Sequence, residues 1–236
     1  DFWPMGIDTN SFKSSKEKKD IILVYFKQRF KEELEKVKAI LRSKNFDFRV
    51  IVYGNYIESD YQKLLNRSKY IIWVGRQESQ GLALQEALAS DVPILVWDVS
   101  YMGHSDPNSG FTPEESAYKN TTSAPYFDEN CGLKIKEIKE LPSAIDFMEN
   151  NFKKFKPRDF IIKNLSLDGR AREFLGFYEK YFGLLYEDGF KEKLLNNSDW
   201  INKKWYYVLY LKFKHKLKMA LVKMGLWEYI QKKIKK

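Results

Sequence analysis

The chain has 236 residues, 44% hydrophobic and 16% aromatic, enough apolar material for one large domain or one domain with appendages. Cys131 is the single cysteine, which excludes an internal disulfide and a cysteine-based zinc site; with only His104 and His215 besides, no protein-bound transition metal is expected. The net charge of +9 belongs to the end of the chain: residues 198–236 hold 11 Lys against two acids, leaving 30 basic and 30 acidic residues in 1–197.

No run reaches the roughly 18 to 20 uncharged apolar residues that span a bilayer. The opening DFWPMGIDTN lacks a basic start and an apolar signal core, and it begins with Asp, so a preceding segment is an open expectation. A lone cysteine fits a reducing compartment, and the expected location is the cytoplasm. The Asn-x-Ser/Thr sequences at Asn66, Asn120, Asn164 and Asn196 need a secretory context to carry glycans and are read as ordinary surface sequence.

Residues 1–12, punctuated by Pro4 and Gly6, predict an extended arm. Asp20 to Phe26, DIILVYF, predicts a strand of the buried parallel kind, and Phe30, Leu34, Val37 and Leu41 fall at helical spacing after it. Lys27 and Arg29 lie in the turn between. Phe46 to Tyr53 alternates and ends at Gly54-Asn55, which predicts a second strand, and Tyr61 to Arg67 a short helix. Tyr70 to Val74 is a third strand, closed by Gly75 and a polar loop. Apolar periodicity resumes at Leu82, with Ala83, Leu84, Ala87 and Leu88, before Asp91-Val-Pro leads into a strand from Ile94 to Trp97. This strict βα order predicts right-handed crossovers and a doubly wound, Rossmann-like parallel sheet. Ser100 to Ser123 has no periodicity and is expected to be a long functional or solvated loop carrying His104 and Asp106. A strand region within Ala124 to Ile135 follows, then helices from Ile138 to Phe155, from Pro157 to Leu165 and from Leu167 to Leu185. The domain is therefore expected to span 13–185, followed by a basic, aromatic helical tail over 186–236.

Within this pattern, ESQGLALQEALASDVPILVWD places Glu78 and Glu86 on either side of Gly81, between a strand and a helix that ends in Val-Pro and another strand. The arrangement resembles the paired-glutamate motif of family 4 glycosyltransferases, which are retaining enzymes of the GT-B fold. The resemblance implies the C-terminal, donor-binding half of such an enzyme, transferring a hexosyl-type sugar from a nucleoside-diphosphate sugar to a carbohydrate, lipid or protein acceptor, with no metal required. It implies that Glu86 accepts from the ribose hydroxyls and that Glu78, the catalytic candidate, binds and orients the donor sugar. The N-terminus of the helix, at Gly81 and Leu82, would offer backbone N–H groups to phosphate. Family members commonly set an Arg and a Lys near the first strand end for the diphosphate; Lys27 and Arg29 stand there with a different spacing, and a solvated turn accounts for them equally. The phrase PMGIDTNSF resembles the family's linker to an N-terminal acceptor domain, an ordinary arm being the alternative.

Two other readings stay open: a GT-B sugar-nucleotide epimerase, and a non-catalytic module that presents its tail to a membrane or nucleic acid. In the tail, apolar residues recur at Trp205, Leu209, Phe213, Leu217, Leu221, Met224, Trp227, Ile230 and Ile234 at a mean step near the helical 3.6. Aromatics beside lysines suit an anionic membrane surface on the cytoplasmic face. The same stripe could dock on the acceptor domain instead, and binding of nucleic acid by the lysines ranks behind both.

Overall fold

The computed structural model describes residues 3–99 and 121–182; His104, Asp106 and the tail from residue 183 onward lie outside the described residues. Five strands form one parallel sheet: β1 (Ile21–Lys27), β2 (Phe48–Val52), β3 (Ser68–Gly75), β4 (Ile94–Trp97) and β5 (Gly132–Ile135), in the order β2-β1-β3-β4-β5. Successive strand side chains point to opposite faces. Leu23, Tyr25, Ile71, Trp73 and Val96 therefore pack under α2 (Glu58–Arg67), α3 (Leu82–Ala89) and α5 (Pro157–Asn164). Ile22, Val24, Phe26, Ile72 and Leu95 pack under α1 (Lys31–Ser43) and α4 (Leu141–Asn151). Helices thus cover both faces, which is why the central strands are apolar without alternation. The Rossmann-like, doubly wound expectation holds.

Element edges differ from the periodicity in places, each for a local reason. The helix α2 begins at Glu58, ahead of Tyr61, and runs straight into β3, where the Ser68 hydroxyl donates to Leu64 O at 2.7 Å. The expected single helix from Ile138 to Phe155 is divided into a 3₁₀ turn (Ile138–Glu140), α4 and a second 3₁₀ turn (Phe152–Lys154). Pro142 has no N–H and is tolerated only in a first helical turn, so the α-helix starts beside it. Of Ala124 to Ile135 only the last four residues are strand. β5 begins at Gly132, φ 139°, where an added Cβ would lie 2.1 Å from Ile94 O; no other residue fits so close to β4.

The arm is held by backbone. Ile7 N–H donates to Leu165 O at 2.8 Å, and Leu167 N–H donates to Ile7 O at 2.9 Å. The Arg158 guanidinium donates to the carbonyls of Phe12, at 2.8 Å, Thr9, at 3.0 Å, and Ala89. It therefore ties the arm to the C-terminal end of α3. The last described helix, α6, runs over Leu167–Phe182.

Candidate functional site

In a sheet ordered β2-β1-β3, the chain reverses direction between β1 and β3, and the helices that follow those two strands leave on opposite faces. The crevice this opens at the carboxyl ends of the strands is where such folds bind ligands. A cavity of about 460 Å³ lies there, and Lys27, Glu78, Gly81, Leu82 and Glu86 all line it. Of the residues singled out in the sequence, these five are brought together.

The β3–α3 loop is shaped by its own backbone. Glu78 N–H donates to Thr122 O at 3.0 Å. Gly81 takes the left-handed conformation, φ 67° and ψ 45°, immediately before α3, with Pro125 3.4 Å from where a Cβ would stand. Glycine adopts that conformation at no steric cost. No side chain caps α3, so the N–H groups of its first turn, which have no partner within the helix, are open beside the cavity. They and the helix dipole favour an anion at this place.

Charge in the cavity is arranged in two parts. Lys27 Nζ lies 2.6 Å from Glu78 Oε1, both side chains little exposed, and sits over the Tyr53 ring at 4.3 Å from its centroid. The contact is an ion pair rather than an aligned hydrogen bond. Glu86, on the second turn of α3, is the other part: burial, helped by the charge of Glu58, pushes its carboxyl up to about 7. Among the described residues no hydrogen bond is made to the Glu86 carboxyl, and it lines the cavity.

Arg29 is placed differently. It is 2% exposed, does not line the cavity, and is bound by Glu33: Nε donates to Glu33 Oε2 at 2.8 Å and Nη2 donates to Oε1. Nη1 donates to the carbonyls that end β3 and β4, Gly75 O at 3.3 Å and Trp97 O at 3.1 Å. The guanidinium also lies over the Trp97 ring, 4.8 Å from its centroid. A planar fork that binds a carboxylate and two strand-end carbonyls together knits the sheet to α1. Gln28, in the left-handed region at φ 51°, turns the chain between Lys27 and Arg29, so the two cations part company.

Sequence reasoning missed the aromatic wall. Tyr25 and Trp73 are cross-strand partners stacked at 4.1 Å with 3° between their planes, and the Tyr25 and Tyr56 hydroxyls are 3.1 Å apart. The Tyr61 hydroxyl donates to Ala83 O at 2.7 Å, fastening α2 to the first turn of α3. Tyr25 and Trp73 were legible only as strand residues. The signal was their position: each is the last ring on its face before the carboxyl end of its strand, with a polar atom no aliphatic residue would carry. The arm was also missed as a site element, since Met5 lines the cavity and its N–H donates to Gln80 Oε1 at 2.9 Å.

Among the described residues no group of three or more His, Cys, Asp or Glu could hold a metal ion, and no helix is long and apolar enough to cross a membrane. No family model and no curated protein matches the chain. Solved structures that resemble it include TarM, at 17% identity and a TM-score of 0.48, over 70% of this chain and 36% of that one. A mutant of S. aureus TarM was solved in complex with Fondaparinux, alpha-GlcNAc-glycerol and UDP. The C-terminal domain of a glycosyl transferase group 1 family protein (LpcC) from Francisella tularensis matches at 13% and 0.42, over 72% of this chain and 98% of that domain. Sucrose-phosphate synthase from Thermosynechococcus elongatus matches at 13% and 0.48, over 76% and 52%. The chain thus spans about a third of TarM and half of the synthase, and the likeness is one of overall fold.

Proposed function

We propose that this chain is the donor-binding half of a GT-B glycosyltransferase, which passes a hexosyl-type sugar from a nucleoside-diphosphate sugar to an acceptor, with retention. The observation that carries the reading is the convergence of a cation, an open helix N-terminus and two separate carboxylates on one cavity at the reversal point of the sheet. A nucleoside-diphosphate sugar makes the matching demands. Its diphosphate takes the N–H groups at Leu82 and Ala83, where the dipole contributes roughly 0.3 to 2 kcal/mol, and draws the Lys27 ammonium. Glu86 accepts from the ribose hydroxyls, which supply the donors its buried carboxylate wants. Glu78 binds hydroxyls of the sugar and orients it as the diphosphate departs, the developing charge being stabilised by Lys27 and the helix terminus. The rings of Tyr53 and Tyr56 offer flat apolar surface at the rim.

In this reading residues 1–12 link to an acceptor-binding domain, and 13–185 form the nucleotide-sugar domain. The tail then brings the enzyme to an anionic membrane surface on the cytoplasmic face. Isothermal titration with UDP, GDP and ADP and with their glucose derivatives tests the core of it. Micromolar to millimolar binding of at least one, with poor transfer by this chain alone, is the expected result. Binding of none, or efficient transfer by the isolated chain, sinks it.

A further inference from the structure

We propose that Asp98 is a positioning residue for the donor-sugar end of the site, holding Glu78 and Trp73 in place through Thr122 and Ser123 and so setting discrimination for the sugar rather than affinity for the nucleotide. The inference rests on the donor-binding reading of the cavity.

Asp98 directly follows β4 and is 5% exposed. Its Oδ1 accepts from Val99 N–H at 2.9 Å, Ser123 N–H at 2.7 Å and the Ser123 hydroxyl at 3.0 Å. The Thr122 hydroxyl lies within reach of both carboxylate oxygens, at 3.0 and 2.9 Å. The two residues held in this way pass the constraint on to the cavity. Thr122 O accepts the Glu78 N–H at 3.0 Å, and Ser123 O accepts the Trp73 Nε1–H at 3.1 Å. Lys134, on β5, completes the anchor by donating to Thr122 Oγ1 at 3.3 Å and Ala124 O at 2.9 Å.

One buried carboxylate therefore sets two walls of a cavity that it does not itself line. The chemistry favours a carboxylate: two backbone N–H groups and the Ser123 hydroxyl converge on Oδ1, and the Thr122 hydroxyl beside Oδ2 already accepts from Ala124 N–H and Lys134. An amide keeps a single, uncharged acceptor and sets its NH₂ against the Thr122 hydroxyl, whose acceptor positions are already taken, so the Thr122 side of the anchor is weakened. The nucleotide end of the cavity is separate: Glu86 stands on α3, and among the described residues the hydrogen bonds made by Asp98, Thr122 and Ser123 go elsewhere than to that helix. Loosening the anchor should shift the Glu78 backbone while the ribose and phosphate contacts stay.

The test is isothermal titration of the parent, Asp98→Asn, Thr122→Val and Thr122→Ser against UDP, GDP and ADP, and against the glucose derivative of whichever the parent binds best. Asp98→Asn and Thr122→Val should keep nucleotide affinity within about twofold while the preference for sugar nucleotide over bare diphosphate falls about tenfold. Thr122→Ser, which keeps the hydroxyl, should retain the preference. Should Asp98→Asn fail to fold, the Thr122 pair decides alone. An unchanged preference in Thr122→Val, or an equal loss of both ligands at the parent's melting temperature, overturns the positioning role. A parent that binds no nucleotide at all defeats the donor-binding reading itself and is recognised before any variant is compared.

Discussion

The two ends of the sheet handle charge in opposite ways. At the amino end Arg67 is bound to Asp20 at 3.0 Å and Lys69 to Glu149, and the hollow beside Lys69 is about 210 Å³. At the carboxyl end the hollow is about 460 Å³ and holds Glu86, whose carboxyl is pushed up to about 7 by burial. Burial also acts at the amino end, lowering the Lys19 ammonium and raising the Tyr70 hydroxyl, but only at the carboxyl end does it act on a carboxyl that lines the larger hollow. A perturbed carboxyl in a cleft is what the proposed ligand site calls for. The same contrast is repeated within the β1–α1 turn: Arg29 is consumed by Glu33 under the strand ends, and Lys27 reaches the cavity.

The largest effect that would sharpen this contrast is at Arg29. Removing one partner of a buried pair strands the other, so Arg29→Ala should lose about 3 to 5 kcal/mol of stability in urea unfolding. Loss of nucleotide binding at undiminished stability would instead put Arg29 with the ligand, and the contrast between the two cations would fall.

Next is Glu86→Ala, which should weaken nucleotide binding by roughly 1.5 to 3 kcal/mol, a factor of ten or more. Its pH dependence has a sign. Because the folded-state value, about 7, is raised above the ordinary 4.5, the folded protein holds this proton more tightly than the unfolded chain. Stability contributed at Glu86 is therefore present below pH 4.5 and is lost as pH rises through about 7. Ligand affinity should move the other way, rising over the same window as the accepting carboxylate forms. Glu86→Gln should flatten both curves; thermal melts and titrations from pH 5 to 8 that leave either slope intact would show that Glu86 is not the group responsible.

Glu78→Ala comes third. It should leave bare diphosphate binding within a few-fold of the parent and reduce the preference for the sugar nucleotide about tenfold. Equal loss of both ligands would merge the two carboxylates into one role. The smallest effect belongs to the amino end: Arg67→Ala removes a solvent-screened pair, so stability should barely change, and titration should detect no change in nucleotide binding. A change there would break the separation of the two ends.

Much of this was legible in the residues because it depends on local pattern. Apolar runs such as IILVYF and YIIWV must be buried on two faces, and βα alternation then leaves few sheets to choose from. Gly81 between Glu78 and Glu86, at a strand-to-helix turn, located the cavity because backbone amides at a helix start are a consequence of helix geometry itself. Arg29 and Lys27 could not be told apart on that basis. They are two residues apart in one turn, and which cation is buried depends on where Glu33 and the ends of β3 and β4 arrive from elsewhere in the chain. The aromatic wall and the Asp98 anchor were hidden for the same reason: Tyr25 meets Trp73 across a strand pairing between residues 48 positions apart, and Asp98 meets Thr122 by a side-chain hydrogen bond between residues 24 positions apart. Sequence periodicity reports which face a side chain takes; the partner it finds there, and hence its charge state, is decided by packing between segments that no local pattern connects.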